Sequence, residues 1–72
     1  MRLRSELMTA IQEVVAGWGL IQVEAARRLD VTQPRLNELL RGQVGRFSLD
    51  ALILLTERAG LSVRVQIERA TA

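Results

Sequence analysis

The sequence predicts a mainly α-helical domain: four to five short helices followed by one C-terminal β-strand. Three observations carry that expectation. Apolar residues recur at steps of three and four from Leu3 to Trp18. The run QVEAARRLDVTQPRLNELLR, Gln22 to Arg41, reads as two short helices with a tight turn between them. From Leu61 the apolar period changes from the helical value to alternation.

Seventy-two residues allow one domain and one small core, here 1–72. A chain of this size buries only about 60% of its extended surface. Apolar residues make up 49% of the chain, enough for a globular core with some surplus for a partner to cover. No apolar run approaches the roughly 18 residues of a membrane span, and nothing at the N-terminus has the layout of a signal peptide. Cysteine is absent, which excludes disulfides and thiolate metal sites and fits a cytoplasmic setting.

The first helix spans 3–18, with Leu3, Leu7, Ile11, Val14 and Trp18 on one face and Gly17 and Gly19 bracketing its end. A single Trp on such a face counts as core rather than as a ligand platform. The second helix covers about 22–29 and puts Val23, Ala26 and Leu29 together. Ile21 stands where an N-cap residue is wanted and cannot cap, a loss of about 1 kcal/mol that burial of the side chain would offset.

The third helix opens at Thr32, an N-cap residue, with Pro34 in the first turn where a missing N–H costs little. Because Pro34 has no N–H, the Thr32 hydroxyl must accept from Arg35. Val31 can staple to Leu36, and Leu36, Leu39 and Leu40 form the core face. Between the two helices stand Asp30 and Val31. Asp is among the few residues besides Gly that tolerate a left-handed backbone.

After Arg41 comes the loop GQVGRF, where Gly42 suits the end of the third helix. Ser48 caps the next helix, Asp50 favours its dipole, and Phe47 can staple to Leu52. That helix ends before Gly60, and its interior is apolar nearly all round, so more than one side needs covering. In the final stretch, 61–68, Leu61, Val63, Val65 and Ile67 alternate with polar residues. No other stretch reads as a strand, and a lone strand leaves its backbone groups unpaired. The economical partner is a second copy, giving a two-stranded ribbon across a two-fold axis; the alternative is the sheet edge of another protein. Leu54 joins Val63, Val65 and Ile67 as the candidate dimerisation surface.

All ten basic residues are arginine, and the net charge is only +2. Its distribution is more informative. Between Arg27 and Arg46 five arginines face two carboxylates, a local +3 on the paired helices. His, Cys, Lys and Tyr are all absent, which removes the usual general bases, thiol nucleophiles, Schiff-base amines and most transition-metal ligands. The eight carboxylates sit beside arginines, as Glu24 does four residues before Arg28, and read as solvated pairs. Neither catalytic nor metal residues, nor a cofactor site, are expected; the chain does not read as an enzyme.

The paired helices resemble the helix-turn-helix of phage-repressor-type (XRE) regulators, with Ala26, Val31, Leu36 and Leu39 at that pattern's small and apolar positions and Asp30 where Gly is usual. Over residues 5–67 the succession SELMTAI, GLIQVEAARRLDVTQPRLNELLRG, RFSLDAL and RAGLSVRV is also similar to HigA-type antitoxins, TQPR and FSLD being the more specific pieces. The resemblance implies a lambda-repressor-like bundle, binding to double-stranded DNA, and a repressor that controls its own operon as a homodimer and neutralises a ribosome-dependent mRNA-cutting toxin.

In that geometry the second helix of the pair lies in the major groove with its N-terminal residues at the base edges. Those residues are Thr32, Gln33, Pro34 and Arg35, with Asn37, Glu38 and Arg41 further along. Gln33 suits adenine and Arg35 guanine, both bidentately, while Thr32 or Pro34 can meet a thymine methyl. Gln22 corresponds to a phosphate-binding position of the family. Arg27, Arg28, Arg41, Gln43 and Arg46 are candidate phosphate anchors. Glu38 is unfavourable beside phosphates unless it accepts from a cytosine amino group or pairs with Arg41. The other class of function consistent with these residues is a protein-interaction module in which the apolar helix and the strand serve a partner.

Overall fold

The computed structural model describes residues 3–62. Within them the chain forms α1 Leu3–Trp18, α2 Gln22–Leu29, α3 Gln33–Leu40, a single 3₁₀ turn Val44–Arg46, and α4 Leu49–Arg58. α1 packs against α4 and α3, and α2 packs on α3 and α4. Among the described residues there is no strand; of the expected strand at 61–68 only Leu61 and Ser62 lie among them, so Val63, Val65 and Ile67 fall outside.

Local chemistry sets the helix boundaries. The Thr32 hydroxyl accepts from the Arg35 amide at 3.2 Å, and the Ser48 hydroxyl accepts from the Ala51 amide at 3.1 Å. Asp30 is left-handed, with φ 57° and ψ 46°, as the turn between α2 and α3 requires. In that conformation its N–H donates to the Arg27 carbonyl and the Val31 N–H to the Ala26 carbonyl, at 3.1 and 2.9 Å. This paired pattern closes a helix by satisfying carbonyls that have lost their next turn. Gly42, at φ 74°, closes α3 in the same way, its own N–H and that of Gln43 donating to Leu39 and Glu38.

Two long side chains then tie the helix ends to their neighbours. The Gln12 amide of α1 donates to the Leu39 carbonyl at 2.7 Å, and the Arg58 guanidinium of α4 donates to Leu29 and Asp30 carbonyls at 3.1 and 3.4 Å. Arg58 also stands 3.6 Å from the Asp30 carboxylate. A cation at the C-terminal end of α2 complements the dipole as well as the orphan carbonyls.

The core combines Leu7, Met8, Ile11 and Val15 of α1 with Ala25, Ala26 and Leu29 of α2, Leu36 and Leu39 of α3, Phe47, and Leu52 and Leu55 of α4. Three expectations change here. The α1 stripe is wider than expected, with Met8 and Val15 buried and Val14 half-buried. On α2 the buried face is Ala25, Ala26 and Leu29, while Val23 is 40% exposed; eight residues make barely two turns, and burial follows the face turned to α3 and α4. Leu40 is half-buried, packed at the edge of the core rather than within it.

Ile21 is the N-cap of α2, makes no side-chain cap hydrogen bond, and is 70% exposed. Burial within the chain therefore does not offset the missing cap. Replacing it by a residue that can cap should help: Ile21→Ser is expected to stabilise the fold by about 1 kcal/mol, a rise in Tm of roughly 4–8 °C. Thermal unfolding followed by circular dichroism checks this, and a lowered Tm would show that the isoleucine is covered in solution.

Candidate nucleic-acid interface

The surface of interest is built where two helix starts meet. Gln22 opens α2, and Gln33, Pro34 and Asn37 belong to α3; together they line an open depression of about 340 Å³. The tight turn at Asp30 brings the beginning of α3 back alongside the beginning of α2. Thr32, Gln33 and Pro34 are exposed and Asn37 is half-buried. The first turn of α3 carries no acidic side chain, so the positive end of the helix is left unneutralised, which favours a polyanion.

Arg41 and Gln43 follow α3 on exposed positions, and the Arg46 side chain is 72% exposed. These sites flank the first turn of α3, where phosphate contacts would fix orientation. Arg27 and Arg28 are engaged in other ways. Arg27 pairs with Glu24 at 3.2 Å, while Arg28 lies over the Trp18 ring, 4.7 Å from its centroid. Glu24 thus pairs three residues on and not four. Trp18 is half-buried against the core, with that guanidinium on its face.

The Arg35 guanidinium turns to the loop before α4. Its Nη1 donates to the Arg46 carbonyl at 2.8 Å, and its carbon lies 3.8 Å from the centroid of the Phe47 ring. Glu38 Oε2 stands 3.7 Å from Arg35 Nη1 and 4.0 Å from Arg46 Nε. The carboxylate is thus balanced by two guanidinium groups, neither of them the expected Arg41. Sequence spacing gave no sign of this tie, because it joins residues 11 apart across a loop. It gave none of Arg58 or Gln12 either, whose partners lie 29 and 27 residues away.

Of the expected dimerisation residues, Leu54 lies among the described residues and is 44% exposed on α4, with Leu49 exposed nearby on the same helix. Leu52, Leu55 and Thr56 form the buried side of that helix. Among the described residues no group of His, Cys, Asp and Glu is arranged to hold a metal ion, and no helix is long and apolar enough to cross a membrane.

A search of curated proteins finds no match. A family profile described as a helix-turn-helix domain matches residues 1–68, nearly the whole chain, and spans both helices of the turn and the surface built on them. The chain belongs to the helix-turn-helix domain family.

Proposed function

We propose that this protein is a sequence-specific DNA-binding regulator of the XRE type that acts as a homodimer and represses transcription by occupying a promoter. The observation that supports it most is the joint exposure of Gln22, Thr32, Gln33 and Pro34 at two adjoining helix starts, on a chain of the helix-turn-helix family. Gln33 reads adenine through N6 and N7, Thr32 and Pro34 meet thymine methyls, and Asn37 contacts the groove further along. Gln22, Arg41, Gln43 and Arg46 hold phosphates and fix the register. In a dimer two such helices address half-sites about 34 Å apart, or a multiple of that spacing.

The finer reading is a HigA-type antitoxin that represses its own operon and binds a toxin protein, working in the cytoplasm without catalysis or cofactor. The TQPR and FSLD pieces support it. A second reading, a protein-interaction module, draws on the exposed apolar side chains Leu20, Ile21 and Val23 at one corner and Leu49 and Leu54 on α4.

Salt-dependent binding to the duplex upstream of the protein's own reading frame separates the two. A dimer neutralising roughly 6–8 phosphates gives log K falling with log salt at a slope of about −5 to −7. Gln33→Ala should relax preference at one base position by about 1–3 kcal/mol, whereas Arg41→Ala should weaken all sequences alike and reduce the slope by about 1. Absence of binding at low salt would reject the regulator and favour the interaction module. Dimerisation through the C-terminal stretch has its own test: Val65→Asp should give monomers by analytical ultracentrifugation, and a variant that remains dimeric would place the interface elsewhere.

A further inference from the structure

Arg35 occupies the first turn of α3, where a base-reading side chain is expected, yet its guanidinium is already engaged within the chain. It stacks on Phe47, whose ring is fixed in the core at 1% exposure, and donates to the Arg46 carbonyl. The Arg46 and Phe47 amides donate to Gln43 and Val44 at 3.0 and 3.2 Å, completing a tight 3₁₀ turn on the other side of that carbonyl. Glu38, one turn further along α3, sits between the Arg35 and Arg46 guanidinium groups.

We propose that Arg35 is a positioning residue for DNA binding rather than a base reader: it clamps the 3₁₀ turn to α3 and so presents Arg46 to a phosphate. The proposal rests on the DNA-binding reading above. A planar guanidinium can stack on a ring while donating in its own plane, which an ammonium cannot do. The clamp fixes the Arg46 backbone, and the Glu38 carboxylate steadies the side chain from the α3 side. Arg35 also offsets the Glu38 charge, so the pair of arginines and the carboxylate keep a net positive charge facing outward. The clamp binds a loop that carries one phosphate anchor to the helix that carries the base readers. Their relative placement, and so the register on the duplex, depends on it.

Arg35→Lys keeps the charge and the apolar stem but loses the fork and the stack, so it tests the clamp without a large cavity; Arg35→Ala is its companion. In the free protein, both variants should speed hydrogen exchange of the Arg46 and Phe47 amides by about tenfold, the scale of one charge-assisted hydrogen bond, while the Ile11 amide in α1 is unchanged. On the upstream duplex, both should weaken binding with base preference in a randomised duplex pool unaltered. Arg46→Ala, which reduces the salt slope by about 1 in the parent, should change affinity by less than about twofold in either Arg35 background. Unchanged exchange in Arg35→Lys overturns the clamp whatever the DNA result. A relaxed preference at a single base position, or full additivity with Arg46→Ala, overturns the positioning role and makes Arg35 a direct contact. Faster exchange in a protein whose parent binds no duplex instead overturns the DNA-binding reading and leaves the clamp standing.

Discussion

The hydrogen bonds from Arg58 to the Leu29 and Asp30 carbonyls hold the point on which the rest of the arrangement turns. At that point the chain must leave one helix and enter the next within three residues, and a non-glycine residue sits in the left-handed region to let it do so. A left-handed L-residue costs roughly 1–2 kcal/mol, least for Asp and Asn. The fold carries that cost because the carbonyls exposed by the turn are satisfied three times over: by the backbone amides of Asp30 and Val31, by the Arg58 guanidinium, and by the favourable field between that cation and the end of α2. The Arg58–Asp30 ion pair itself contributes little, since the carboxylate is largely exposed.

From this turn follows the placement of the recognition surface. With the exit of α2 fixed, the start of α3 falls beside the start of α2, and Gln22 and Gln33 share one depression. Gln12 holds the far end of α3 to α1, and Arg35 ties its near end to the loop that precedes α4. The helix is therefore restrained at both ends by side chains from elsewhere in the fold. Its eight residues would not hold helical structure alone. Readout of base edges depends on such restraint, because a groove contact made by a mobile helix loses its geometry.

Features set by residues within about a turn of one another were legible in the sequence. Thr32 and Ser48 cap where their positions indicated, Asp30 adopts the left-handed turn, and the helix bounds follow from those residues. The face buried by α2 was not legible, because Val23 and Ala25 compete over two turns and tertiary packing selects between them. Nor were the ties made by Gln12, Arg35 and Arg58, which depend on where distant elements come to rest. For the candidate site, the exposed residues of the α3 first turn were readable from position in the motif. Arg35 was not: its residue type suits a guanine as well as it suits a carbonyl and a ring, and only the placement of Phe47 distinguishes them.

The central claim is that the first turn of α3, held against the start of α2, is the surface that meets nucleic acid. Titrating the isotopically labelled protein with the duplex upstream of its reading frame, while recording amide and side-chain resonances, addresses it most directly. The account predicts the largest changes at Gln22, Thr32, Gln33 and Arg46, with Glu13 and Leu54 little affected. Changes concentrated on α1 around Glu13 or on α4 around Leu54, with the Gln33 side chain unmoved, would contradict it.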